Sequence, residues 1–107
     1  MIHGTIFRTV HLCYNKESAH HFQKEFVDDL DFNGIQFERI QNVVIFGRKN
    51  IEERHIFITP DETNQVVGKR YNDLILCGKV REHPKFNEAL DFIKKFEINN
   101  LFNVKKN

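Results

Sequence analysis

Residues 65–79 read QVVGKRYNDLILCGK, and the fold turns on their second half. Leu74, Ile75, Leu76 and Cys77 form an unbroken apolar run that follows a polar loop and is closed by Gly78. A run without polar alternation suits a strand covered on both faces, as in a parallel sheet held between helix layers. In open α/β sheets ligands sit beyond the carboxyl ends of the strands. If this strand is central, Cys77, Gly78, Lys79 and Val80 occupy that edge. None of the four names a ligand by itself.

The segments on either side extend the same reading. Residues 5–13, TIFRTVHLC, alternate and then condense into apolar types, which suits a first strand. Asn15 or Ser18 can cap the helix that follows, where Ala19, Phe22, Phe26 and Leu30 recur at three and four residues and Val27 widens the stripe. Phe32-Asn33-Gly34 stops it, and Asp28, Asp29 and Asp31 crowd an end where the helix dipole disfavours acid. From Ile35 the period changes to two and leads into Val43-Val44-Ile45-Phe46. Gly47 to Asn50 reads as a turn, and His55 to Thr59 as a further strand stopped by Pro60, the pair forming an antiparallel hairpin. Residues 60–70 read as a mobile polar loop. Pro84 opens a last helix whose stripe is Phe86, Ala89, Leu90, Ile93 and Phe96. Ile98, Leu101, Phe102 and Val104 remain apolar beyond it, so this segment covers a sheet edge or docks on a partner.

A length of 107 residues implies one domain, residues 1–104, ending in a frayed tail of Lys105, Lys106 and Asn107. The expected architecture is α/β: a single three-layer domain with a mixed sheet of about four to five strands and two principal helices. Sixteen basic and fifteen acidic residues leave a net charge of +1, which excludes a global field of the kind that coats nucleic acid or binds membranes by charge. Eleven Phe with no Trp point to core packing more than to ligand stacking. Two cysteines and no apolar stretch of spanning length lead to the expectation of a cytoplasmic protein with reduced thiols and no membrane contact.

Chemical motifs are sparse. His11 and Cys13 share one face of a strand, with His20 and His21 early on the next helix, but the spacing matches no zinc pattern and the expectation is no metal and no cofactor. The acid pairs Asp28-Asp29, Glu52-Glu53 and Asp61-Glu62 are adjacent in sequence, which turns their carboxyls apart where acid–base work needs them to converge. Neither Gly68-Lys69-Arg70 nor Gly78-Lys79-Val80 has the spacing of a phosphate loop. Lys69, Arg70 and Tyr71, with Lys79 and Arg81 across the strand and Arg48, Lys49 and Arg54 in the hairpin, are candidates for one basic surface with an aromatic for stacking. Leu101 and Phe102 are the candidates for an apolar contact with another chain.

Gly68-Lys69-Arg70-Tyr71-Asn72-Asp73 followed by Leu74-Ile75-Leu76 resembles the segment of phage terminase large subunits and related helicase-type ATPases that leads into the Walker B strand. The preceding order, a strand and helix and then a hairpin, is similar too. In that family the strand ends in acids that hold magnesium and activate water, whereas Cys77 and Gly78 stand here, and the phosphate loop is missing. The resemblance therefore implies an ATPase-like core without ATPase chemistry. On these grounds the expected function is binding without catalysis: a small phage or mobile-element accessory protein or inhibitor that contacts a host or phage protein. A nucleic-acid accessory role through the basic residues is the first alternative. A small enzyme using His11, Cys13, His20 or Cys77 as a thiol or metal site is the second. An exposed strand edge is compatible with a homodimer.

Overall fold

The computed structural model describes residues 5–96, 98 and 100–104; residues 105–107, read above as a tail, lie outside them. Six strands form one sheet: β1 (Thr5–Leu12), β2 (Phe37–Ile40), β3 (Val43–Arg48), β4 (Ile51–Ile58), β5 (Asp73–Cys77) and β6 (Asn100–Val104). Their order is β2-β3-β4-β1-β5-β6. β4, β1, β5 and β6 run parallel, while β2, β3 and β4 form an antiparallel meander along one edge. The α/β class, the three layers and the two helices are as the sequence implies. There are more strands than the expected four or five. Gln41, at φ 55°, breaks the alternating stretch into β2 and β3, and the apolar C-terminal segment becomes β6.

Helix α1 (Lys16–Phe32) begins at Asn15, whose side-chain oxygen accepts a hydrogen bond from the Ser18 N–H at 2.8 Å. Its inward face carries Ala19, Phe22, Gln23, Val27 and Leu30. The last turn holds no basic residue. Helix α2 (Phe86–Lys94) buries Phe86, Ala89 and Ile93. The first part of residues 60–70 departs from the mobile-loop reading, while residues 67–70 form an exposed loop. Pro60–Val66 winds into short 3-10 turns, Glu62 accepts from the Thr59 N–H at 3.0 Å, and Val66 is fully buried. Thr59-x-x-Glu62 is the helix-start signature that accounts for this ordering.

The helices take opposite faces of the sheet. α2 packs against Val10, Leu12, Ile56, Ile58, Leu74 and Leu76, a core that also holds Tyr71 and Val80. α1 packs over Cys13, Val44, Phe46 and Phe57 with Cys77 at its margin. Its cover thins at β5, where Ile75 packs only against the margin of this cluster. On this side β5 presents Ile75, only partly buried, and the register partner of Ile75 on β6 is Phe102, 48 % exposed. No helix of the described residues is long and apolar enough to cross a membrane.

Candidate functional site: a cleft with a buried histidine chain

The space left beside α1 is a cleft of about 730 Å³. Phe22, Phe26 and Phe57 line it together with Ile75 and Cys77. Phe32, at the end of α1, stands over it with 88 % of its surface exposed. Glu25, Asp28 and Asp29 bring three carboxylates to its rim. Phe22, Glu25, Phe26, Asp29 and Phe32 share one face of the helix at three- and four-residue spacing, and Asp28 lies at its margin. Asp28 is paired with Lys24 at 2.8 Å and Glu25 with His21 at 3.3 Å, both on the exposed surface where such pairs are worth little.

A buried polar chain ends at the wall of this cleft. Arg48 Nη2 lies 3.0 Å from one Glu53 carboxylate oxygen, and His55 Nε2 lies 2.8 Å from the other. His55 Nδ1 is then 2.8 Å from Nε2 of His11, which lines the cleft. Strand alternation builds this array: Glu53 and His55 project to the α1 side of β4, where His11 of neighbouring β1 projects too. The His11 ring stacks on Phe57 with centroids 4.0 Å apart, and Phe26 covers His55 at 4.5 Å.

Burial drives the His11 imidazole well below its ordinary value of 6.5, and His55 beside it pushes the same way. His55 is lowered too, by burial, with Glu53 and Asp73 pulling against the shift. Both rings are therefore neutral in the folded protein at neutral pH. Below about pH 6.5 the unfolded chain takes up protons that the folded chain refuses, so stability is full above that value and declines as the solution is acidified. Each histidine contributes at most about 1.4 kcal/mol per pH unit across this window. Urea midpoints measured at about pH 7.5 and about pH 5.5 are expected to be lower at the acid value, with a smaller difference in His11→Gln. Equal midpoints would show that the rings are not buried in the neutral form.

The two thiols sit one register step beyond Leu12 and Leu76, which pair across β1 and β5. Both are buried. Each thiol donates to a carbonyl of its own strand, Cys13 to His11 and Cys77 to Ile75, both at 3.8 Å; the neighbouring Cys77, and then burial, push the Cys13 thiol far above its ordinary range. That is the opposite of an activated nucleophile. His20 lies exposed on α1, away from buried His11 and Cys13. Among the described residues no three His, Cys, Asp or Glu side chains gather as metal ligands.

The basic residues are split by β5. Lys69 and Arg70 precede this strand and Lys79 and Arg81 follow it, so they sit at opposite ends of the sheet, about 17 Å of strand apart. Tyr71 is only 5 % exposed and packs in the α2-side core, so its ring offers no stacking platform. Arg81 lies over the Phe86 ring at 5.6 Å. Arg48 and Arg54 are engaged by Glu53 and Glu52. Leu101 and Phe102 are exposed on β6, at the sheet edge.

Beyond the carboxyl ends of β1 and β5 is a second crevice of about 380 Å³, lined by Tyr14, Asn15, Ser18, Gly78 and Lys79. It is the topological switch point: β1 leads through α1 toward the meander, and β5 leads through α2 to β6. Sequence reading reached this edge through Gly78 and Lys79 but missed Glu53 and His55. The available signal was Glu53-x-His55-x-Phe57, two polar residues at strand spacing on the apolar side of a buried strand.

No family model matches the chain and no curated protein matches it. Solved structures do. The large terminase from a thermophilic bacteriophage matches with a TM-score of 0.66 at 9 % identity, over 96 % of this chain and 27 % of that one. The same terminase in complex with ADP matches at 0.60, with 11 % identity over 96 % and 26 %. The ATPase domain of the Thermus phage P74-26 large terminase, in a mutant form, matches at 0.53, with 11 % identity over 94 % and 48 %. The chain thus spans about a quarter to a half of the proteins it matches. At these identities the likeness is one of fold, and it agrees with the terminase-like order of elements, a strand and helix and then a hairpin ahead of β5.

Proposed function

We propose that this chain is a non-catalytic protein-binding module that receives a basic amphipathic helix from a partner in the cleft between α1 and the β5–β6 face. The observation that carries the reading is the one-sided cover of β5. Parallel strands are stable when both faces are buried. β5 has α2 on one face, while on the other Ile75 touches the margin of the α1-side core yet stays partly exposed, beside Phe102, which is 48 % exposed. A helix laid there would bury Ile75, Phe32 and Phe102, with anchors repeating at three and four residues.

Charge defines the chemistry of that helix. Glu25, Asp28 and Asp29 face it across the rim, so lysines or arginines flank its apolar stripe. The same carboxylates repel a phosphate backbone, and the basic residues lie at two separated ends of β5, so the nucleic-acid reading has less support. Cys77 and Gly78 at the end of β5 supply no metal-holding acid, in keeping with binding without turnover. In an accessory or inhibitory role, such a module acts by sequestering a helix of a phage or host component.

A photo-crosslinking residue at position 32 tests this directly. The expected result is a crosslink to a basic amphipathic helical segment of a captured protein, lost in Ile75→Lys while that variant keeps its circular dichroism. Crosslinks confined to acidic or non-helical segments, or capture undiminished by Ile75→Lys, would sink the reading. Crosslinking of one copy to another would make the face a homodimer interface instead.

A further inference from the structure

The protons of the buried chain can be placed from its end. Glu53 is held by Arg48 and accepts, so His55 Nε2 carries a hydrogen. Neutral His55 then has a lone pair on Nδ1, and His11 Nε2 must donate to it. Neutral His11 is left with its own lone pair on Nδ1. The carboxylate thereby fixes both tautomers, as a partner on one ring nitrogen sets the state of the other.

His11 lines the cleft and keeps 6 % of its surface exposed. Arg8 Nε is the one fully buried side-chain nitrogen or oxygen without a partner among the described residues, so His11 Nδ1 is not sealed in unsatisfied. Aromatic walls surround it: Phe57 stacks on the ring, and Phe26 lies 5.6 Å away. A single neutral acceptor among apolar rings selects a neutral donor on a flat apolar body. An ammonium drawn to that depth would lose water without gaining a charged partner. An indole offers one N–H donor, no acceptor, and a large apolar ring.

We propose that His11 Nδ1 is the specificity-determining acceptor of the cleft and receives the indole N–H of a tryptophan presented by the bound helix. This rests on the helix-docking reading and names its central anchor. These 107 residues include no Trp, so a second copy of them cannot supply the anchor.

Indole and 1-methylindole, which differ in the N–H, separate the acceptor from the apolar walls. Titrated into ¹⁵N-histidine-labelled protein, indole is expected to shift the His11 Nδ1 resonance and to bind about fivefold more tightly than 1-methylindole, the ratio that a net hydrogen bond near 1 kcal/mol gives. The difference is expected to vanish in His11→Phe, with the shared apolar binding retained. Equal affinity of the two probes, or an unmoved Nδ1 resonance, would overturn the acceptor assignment and leave helix docking to its own crosslinking test. Binding of neither probe would overturn it as well. The comparison of probes on the unaltered chain holds even if His11→Phe does not fold.

Discussion

Phe57→Ala is expected to lower the unfolding free energy by about 3–5 kcal/mol, the range for truncating a buried phenylalanine. Phe57 is 2 % exposed, stacks on His11 at 4.0 Å and meets Phe26 at 5.7 Å. Its removal opens a void under the histidine chain, and water entering there competes for the His11–His55 hydrogen bond. The loss is a large share of the roughly 5–15 kcal/mol that holds a domain together. Phe32→Ala supplies the contrast. That ring is 88 % exposed, so its truncation is expected to change stability by no more than about 0.5 kcal/mol. Urea denaturation of the two variants checks both values. Comparable losses would mean that Phe32 packs in solution against something the isolated fold does not show.

Replacing Asp28 and Asp29 together by lysine is expected to separate stability from binding. Both acids lie near the C-terminal end of α1, where the dipole favours cations, and that turn has no basic residue. Reversal therefore raises stability by roughly 0.5–1 kcal/mol, after the weak Lys24–Asp28 pair is given up. The same change places two positive charges on the rim that meets a basic helix, and affinity for the captured partner is expected to fall at least about tenfold. Thermal melts and a titration against the crosslinked segment read the two effects independently. A variant more stable and undiminished in binding would remove charge complementarity from the argument; a destabilised one would show that these acids serve the fold. Acid at an unfavourable helix end is otherwise a cost without a return.

The elements were largely legible and the site was not, for reasons that lie in particular residues. Asn15 caps α1 as its side chain suggests, and the run from Leu74 to Cys77 is a parallel strand flanked by β1 and β6. These are local signals. Lys69-Arg70 and Lys79-Arg81 look like neighbours because few residues part them, yet the intervening stretch is extended and carries them to opposite ends of the sheet. Tyr71 sits in a polar stretch, but the α2-side core reaches it. Glu53 joins His55 and His11 only through the register of β1 on β4, which no local pattern states. The cleft is harder still to foresee, since it is made by the end of a helix layer, and a missing cover leaves no residue to read.

The position of β1 has a consequence for how the molecule is assembled. The meander β2-β3-β4 closes through its own short turns, and α1 needs only local hydrogen bonds. β1 is different: the first strand in the chain lies between β4 and β5, both formed from much later residues. Seating it closes the longest loops in the fold, and the entropy of doing so comes before any pairing can offset it. The strand that carries His11 is thus the one whose arrival joins the two halves of the chain.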